Sequence, residues 1–141
     1  MIKKTILTIE DSNALSFLMS TVLKKDFAVT SVKSCSDALY HLQDDLNKDL
    51  IILDIPDADS DNFELLEHIS TSAVFSNIRT VVISNSDDET LKSKTVELGA
   101  SLFLTKPFDP VFLSDKVRSL IYLDGKEGIR KRRTSFNLNI F

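Results

Sequence analysis

Five short β-rich apolar runs alternate with five longer stretches whose apolar residues recur at helical spacing. No other property of this chain restricts its fold as much. The runs are KTILTI (4–9), AVTSV (28–32), LIILD (50–54), TVVIS (80–84) and SLFLT (101–105). Between the first two, SNALSFLMSTVLKK puts Leu15, Leu18, Met19, Val22 and Leu23 on one helical face, with Ser12 or Asn13 as N-cap. SCSDALYHLQDDL repeats the pattern with Ala38, Leu39, Leu42 and Leu46. DNFELLEHI follows an acidic loop, DDETLKSKTVELG ends on Gly99 as a C-cap, and DPVFLSDKVRSLIYL carries proline in its first turn. Such alternation predicts parallel βαβ units with right-handed crossovers. The fold class is α/β, a five-stranded parallel sheet with five helices on both faces. LIIL is apolar on both sides, as a central parallel strand must be.

The 141 residues suit one ordinary domain, and 43% apolar with 27% charged residues is a globular composition. Cys35 is the only cysteine, which removes disulfides and cysteine metal sites and leaves a small packed side chain. Glu10 and Asp11 interrupt the N-terminal apolar run before it reaches signal-peptide length, and no later run approaches the ~20 residues of a membrane span. A cytoplasmic location without membrane insertion is the expectation. Net charge is −4, but residues 124–141 carry +3, so residues 1–123 carry −7. A body that acidic is not expected to bind nucleic acid directly.

In a sheet of this kind, ligands collect beyond the carboxyl ends of the strands. There the first strand ends in Glu10 and Asp11, the third in Asp54, the fourth in Ser84, and the fifth in Thr105, Lys106 and Pro107. Two carboxylates ~4 Å apart repel by roughly 4 kcal/mol at an effective dielectric of 20, so such a cluster calls for a cation. Magnesium suits it, taking one or two carboxylates and leaving positions for water and phosphate oxygens. With a hydroxyl at Ser84 and an ammonium at Lys106, the set can position and neutralise a phosphoryl group. A carboxylate there can itself act as nucleophile. An aspartate-nucleophile phosphatase would want a second aspartate two residues after the first, where this chain has Pro56.

These motifs, ILTIEDS, DLIILD, VVISN and LFLTKPF, resemble those of CheY-like receiver domains of two-component response regulators over residues 3–123. Ser84 lies 30 residues after Asp54, and Lys106 lies 22 after Ser84, with no adjustment needed. The resemblance implies the flavodoxin-like strand order 2-1-3-4-5. It also implies that Asp54 accepts a phosphoryl group from a histidine kinase or histidine phosphotransfer protein. Glu10, Asp11, Asp54 and the main-chain carbonyl of Pro56 would hold Mg2+. Ser84 and Lys106 would bind the phosphoryl group, and Phe103 stands where the family has its rotating aromatic residue. The surface from about 88 to 118 would then change its affinity for a downstream protein. Such a chain is a phosphoacceptor with self-phosphorylation and self-dephosphorylation chemistry rather than a conventional enzyme.

Three positions depart from the family pattern. Ala58 replaces the usual proline, Asp61-Asn62 replaces the usual Asp-Gly, and Asn85 replaces a small residue at the phosphoryl entrance. Asn62 is expected to take a left-handed turn, for which asparagine is the next best residue after glycine. Asn85 predicts slow phosphorylation and a long-lived phospho-form. A pseudo-receiver, binding partners without phosphorylation, is the alternative. Residues 1–123 are the expected receiver domain, and 124–141 a basic C-terminal tail, too short for a DNA-binding effector domain. In that tail Phe136, Leu138 and Ile140 alternate with asparagines, which predicts an extended docking segment over 134–141. A dimer, the kinase and the pathway stay open.

Overall fold

A computed structural model describes residues 3–44 and 47–134, with side chains through Tyr122. The order of elements is β1 (Thr5–Ile9), α1 (Asn13–Leu23), β2 (Ala28–Val32), α2 (Cys35–Asp44), β3 (Leu50–Asp54), α3 (Asp61–Thr71), β4 (Arg79–Ser84), α4 (Glu89–Glu97), β5 (Leu102–Thr105) and α5 (Pro110–Thr134). The strands form one sheet in the order β2-β1-β3-β4-β5, and every pairing is parallel. This is the expected α/β architecture and strand order.

β3 lies at the centre, and Leu50, Ile51, Ile52 and Leu53 are all fully buried. Strand side chains alternate, so the four divide between two cores. Ile51 and Leu53 pack in a cluster with Ala38 and Leu42 of α2, Leu65 of α3 and Leu91 of α4. Leu50 and Ile52 pack on the other side with Met19 and Leu23 of α1 and Leu113 and Val117 of α5. Two helices thus cover one face and three the other.

The helix termini follow their sequence signals. Ser12 caps α1, its side chain accepting from Leu15 N, and Ser60 caps α3 by accepting from Phe63 N. α4 closes on Gly99 at φ +100°, where Gly99 N and Ala100 N donate to the carbonyls of Val96 and Thr95. A Cβ at Gly99 would meet Ser70 Cβ at 3.9 Å, an ordinary contact, so the cost of adding one lies in the backbone. Gly99→Ala should therefore destabilise by about 1–2 kcal/mol. Thermal melting should register it as a drop of roughly 3–7 °C; an unchanged melting temperature would exclude the strain.

The structure departs from expectation at three places. Leu18, expected on the buried face of α1, is 42% exposed, because Met19 and Leu23 alone reach full burial against the sheet. α5 continues beyond Leu123 to Thr134. Gly125 and Gly128 each cost a helix about 1 kcal/mol but do not break it as proline would. The expected extended segment lies outside the described residues except for Thr134, which ends α5. Leu46 also lies outside them. The third departure concerns Asn62 and belongs to the site.

The amino edge of the sheet is tied by a small polar clasp. Asp49 Oδ2 accepts from Thr5 N at 2.8 Å, and the Thr5 hydroxyl donates to the Asn47 carbonyl at 2.6 Å. Among the described residues no helix is long and apolar enough to cross a membrane.

Candidate functional site

All five strands run the same way, so every strand end named in the sequence falls on one edge of the sheet. Glu10 follows β1 and is 1% exposed. Its backbone N–H donates to the Val32 carbonyl, and its Oε2 accepts from Ser12 N at 3.0 Å. Asp11 is the exposed neighbour, and Asp54 is the last residue of β3. One carboxylate oxygen from each of Glu10, Asp11 and Asp54 falls in a set whose members all lie within 4.8 Å of one another.

Lys106 reaches into this set from the end of β5. Its Nζ lies 3.1 Å from Asp54 Oδ1 and 3.2 Å from Glu10 Oε1. These are ion-pair distances, but the angles miss those of hydrogen bonds. Both oxygens are buried without a hydrogen-bond partner within the protein. One ammonium lies against two of the three carboxylates, and neither of those buried oxygens has a hydrogen bond. A hard divalent cation fits that donor set.

The electrostatics agree. Burial, the largest cause, raises the Asp54 carboxyl above its ordinary value; contact with Lys106 opposes the rise without cancelling it, and the Asp11 charge adds to it. Burial also raises Glu10, helped by the charge of Asp54 and opposed by Ser12 N–H and Lys106. For Lys106 burial acts downward, but the contacts with Asp54 and Glu10 together carry it above the usual lysine value.

Ser84 ends β4 fully buried, and its Oγ accepts from Ser86 N at 3.1 Å. Its carbonyl accepts from Lys106 N at 2.7 Å, so serine and lysine are tied through the backbone. The Lys106–Pro107 peptide bond is cis. Asn85 is exposed beside Ser84, and Phe103 is buried on β5 within the cluster that α2, α3 and α4 cover. Pro56 is exposed, and with Asp57, Ala58, Ser86 and Leu91 it lines a shallow pocket of about 100 Å³ against α4.

The remaining acidic residues have local work. Asp57 Oδ1 accepts from Asp59 N at 2.9 Å. Asp61 and Glu64 occupy the first turn of α3, where negative charge complements the positive end of the helix dipole.

Asn62 corrects the sequence reading. Among the described residues no non-glycine has positive φ, and Asn62 lies inside α3. Ser60 already supplies the cap, so the chain turns without a left-handed residue. The Asn62 side chain instead donates from Nδ2 to the Asp54 carbonyl at 2.7 Å. Composition around the loop gave no signal for this contact, which depends on how eight residues of chain close.

Comparison with known proteins places these features. The model of the response regulator receiver domain matches residues 6–118. The two-component response regulator ORR5 of Oryza sativa subsp. japonica is 31% identical over 106 residues, covering 74% of this chain and 79% of that protein. The transcriptional regulatory protein KdpE of Staphylococcus aureus is 31% identical over 114 residues, covering 80% of this chain but 48% of that longer protein. Among solved structures, a CheY-like receiver domain protein from Methanospirillum hungatei aligns with a TM-score of 0.80 at 20% identity, over 89% of this chain and 98% of that one. A response regulator from Thermotoga maritima gives 0.76 at 22% identity, over 86% and 99%. The chain belongs to the response regulator receiver domain family of two-component signalling.

Proposed function

We propose that this receiver is phosphorylated on Asp54 by a histidine kinase or histidine phosphotransfer protein, and that phosphorylation changes its affinity for a protein partner. The observation that carries this reading is the pair of buried carboxylate oxygens on Glu10 and Asp54, both without a hydrogen bond and both in ion-pair contact with the same lysine. Glu10, Asp11 and Asp54, with the Pro56 carbonyl, would hold magnesium. When bound, the ion supplies charge neutralisation for the incoming phosphoryl oxygens.

The protein's own groups divide the work. A carboxylate oxygen of Asp54 forms a bond to phosphorus while the donor's bond to phosphorus breaks, the departing group keeping that electron pair. Lys106 lies against Asp54 and balances the new negative charge. The Ser84 oxygen accepts from Ser86 N, which leaves the hydroxyl hydrogen free to donate to a phosphoryl oxygen. The phosphoryl group brings ≈ −1.5 to −2 charges, enough to redirect Ser84, the 85–91 loop and Phe103. The surface from Asp88 to Arg118 would present that change to the partner. Asn85 at the entrance would slow both uptake and loss. The phosphorylation-independent alternative gains no observation in its favour.

Magnesium titrated into the protein should move the amide resonances of residues 9–12, 54–57 and 84–86, and acetyl phosphate with magnesium should then add one phosphoryl mass. An absence of shifts at millimolar magnesium, together with no added mass, would overturn the reading.

A further inference from the structure

Among the described residues, Asn62 holds the one side-chain hydrogen bond seen on the Asp54 peptide group. The β1–β3 register ends at the pair Ile9 and Leu53, one residue before Asp54. On the other side, strand pairing continues through Ile55 N, which donates to the Ile83 carbonyl at 2.9 Å. The Asp54 carbonyl therefore lies at the point where the ladder toward β1 has run out. Asn62 Nδ2 meets it at 2.7 Å from the first turn of α3. Between the two residues, Pro56 has no N–H to give the turn, Asp57 Oδ1 accepts within the loop, and Ser60 Oγ is taken up in capping α3. The Asn62 amide is thus the tie from helix to strand end.

We propose that Asn62 is a positioning residue, whose amide holds the Asp54 peptide group so that the Asp54 carboxylate and the following turn are preset for a divalent cation and a phosphoryl group. This rests on the function proposed above. The carboxylate leaves the same Cα as the held carbonyl, so a rotation of that peptide plane moves it relative to Glu10, Asp11 and Lys106. A displacement of about 1 Å at such a site is enough to slow group transfer strongly. The contact is also specific to shape and donor: alanine removes both, and aspartate keeps the shape but brings an acceptor to an acceptor.

The test uses Asn62→Ala and Asn62→Asp in the full chain, at a temperature where each is folded by its amide spectrum. Magnesium dissociation constants, read from amide shifts, should weaken by roughly 2–10-fold, the scale of one lost hydrogen bond. The labelling rate with acetyl phosphate at saturating magnesium should fall as well. A melting temperature that drops while the magnesium constant and the labelling rate match wild type would make Asn62 merely structural and overturn the inference. If wild type itself takes up no magnesium, the proposed function fails and this inference with it; if wild type binds and both variants equal it, this inference fails alone. Should neither variant fold, exchange of the Asn62 side-chain amide protons in wild type decides. Protection relative to the exposed Asn85 amide is expected, and equal exchange would overturn the contact.

Discussion

Asp54→Asn protein should take up no phosphoryl mass from acetyl phosphate and should be more stable than wild type in magnesium-free buffer at neutral pH. The first result follows from removing the nucleophilic oxygen. The second follows from the energetics of the edge. The charged form of Asp54 is disfavoured in the fold, since its carboxyl is raised above the ordinary 3.8 by burial and by Asp11 despite Lys106. Below the ordinary value the carboxyl is protonated in both folded and unfolded chains, so it contributes no difference. As pH rises from there through the raised folded value, the unfolded chain gives up its proton first, and the wild type loses stability relative to the variant. At neutral pH the wild type therefore stands below the variant in stability, by an amount that the partial opening of the site to water reduces. Lys106 keeps Glu10 as a partner in the variant. Magnesium should narrow the gap by stabilising wild type alone. Urea melts of both proteins at pH 4 and pH 7, with and without magnesium, check the sign. A variant less stable than wild type at pH 7 without magnesium would show that the lysine contact outweighs burial.

The largest loss of stability should come from the central strand. Ile51 and Ile52 are both fully buried, one in each core. Ile51→Ala and Ile52→Ala should each cost about 2–5 kcal/mol, from lost transfer energy and from a cavity the neighbouring strands cannot close. That is a large part of the 5–15 kcal/mol typical of a domain. Thr30→Ala, on the half-buried edge strand β2, should cost less than ~1 kcal/mol. Denaturant midpoints should separate the three with similar slopes. A midpoint for Ile51→Ala or Ile52→Ala close to that of Thr30→Ala would mean that one face is not a packed core.

Much of this fold was legible because local and tertiary demands coincide. Leu50–Asp54 is a strand with the bounds read from LIILD, since a both-sided apolar run has no other stable place than the sheet centre. Ser12 and Gly99 mark their helix ends through chemistry that needs no distant partner. The convergence of Glu10, Asp11 and Asp54 could be read because parallel strands place like ends together. What escaped depends on distances between elements. Leu18 satisfies the helical period, yet its burial is decided by how far the sheet extends beneath α1. Asn62 has the composition of a turn residue and the role of a tether, and the choice is made by Ser60 capping first. The continuation of α5 past Leu123 was hidden by two glycines, which weaken a helix without ending it.

The clasp at the other edge of the sheet, where Thr5 binds Asp49 and Asn47, has its own consequence. The length of the strands separates it from Glu10, Asp54 and Lys106, so the chain keeps its fastening and its chemistry at opposite poles. A change in this clasp should then alter how firmly the chain folds without displacing the groups gathered at Glu10, Asp54 and Lys106.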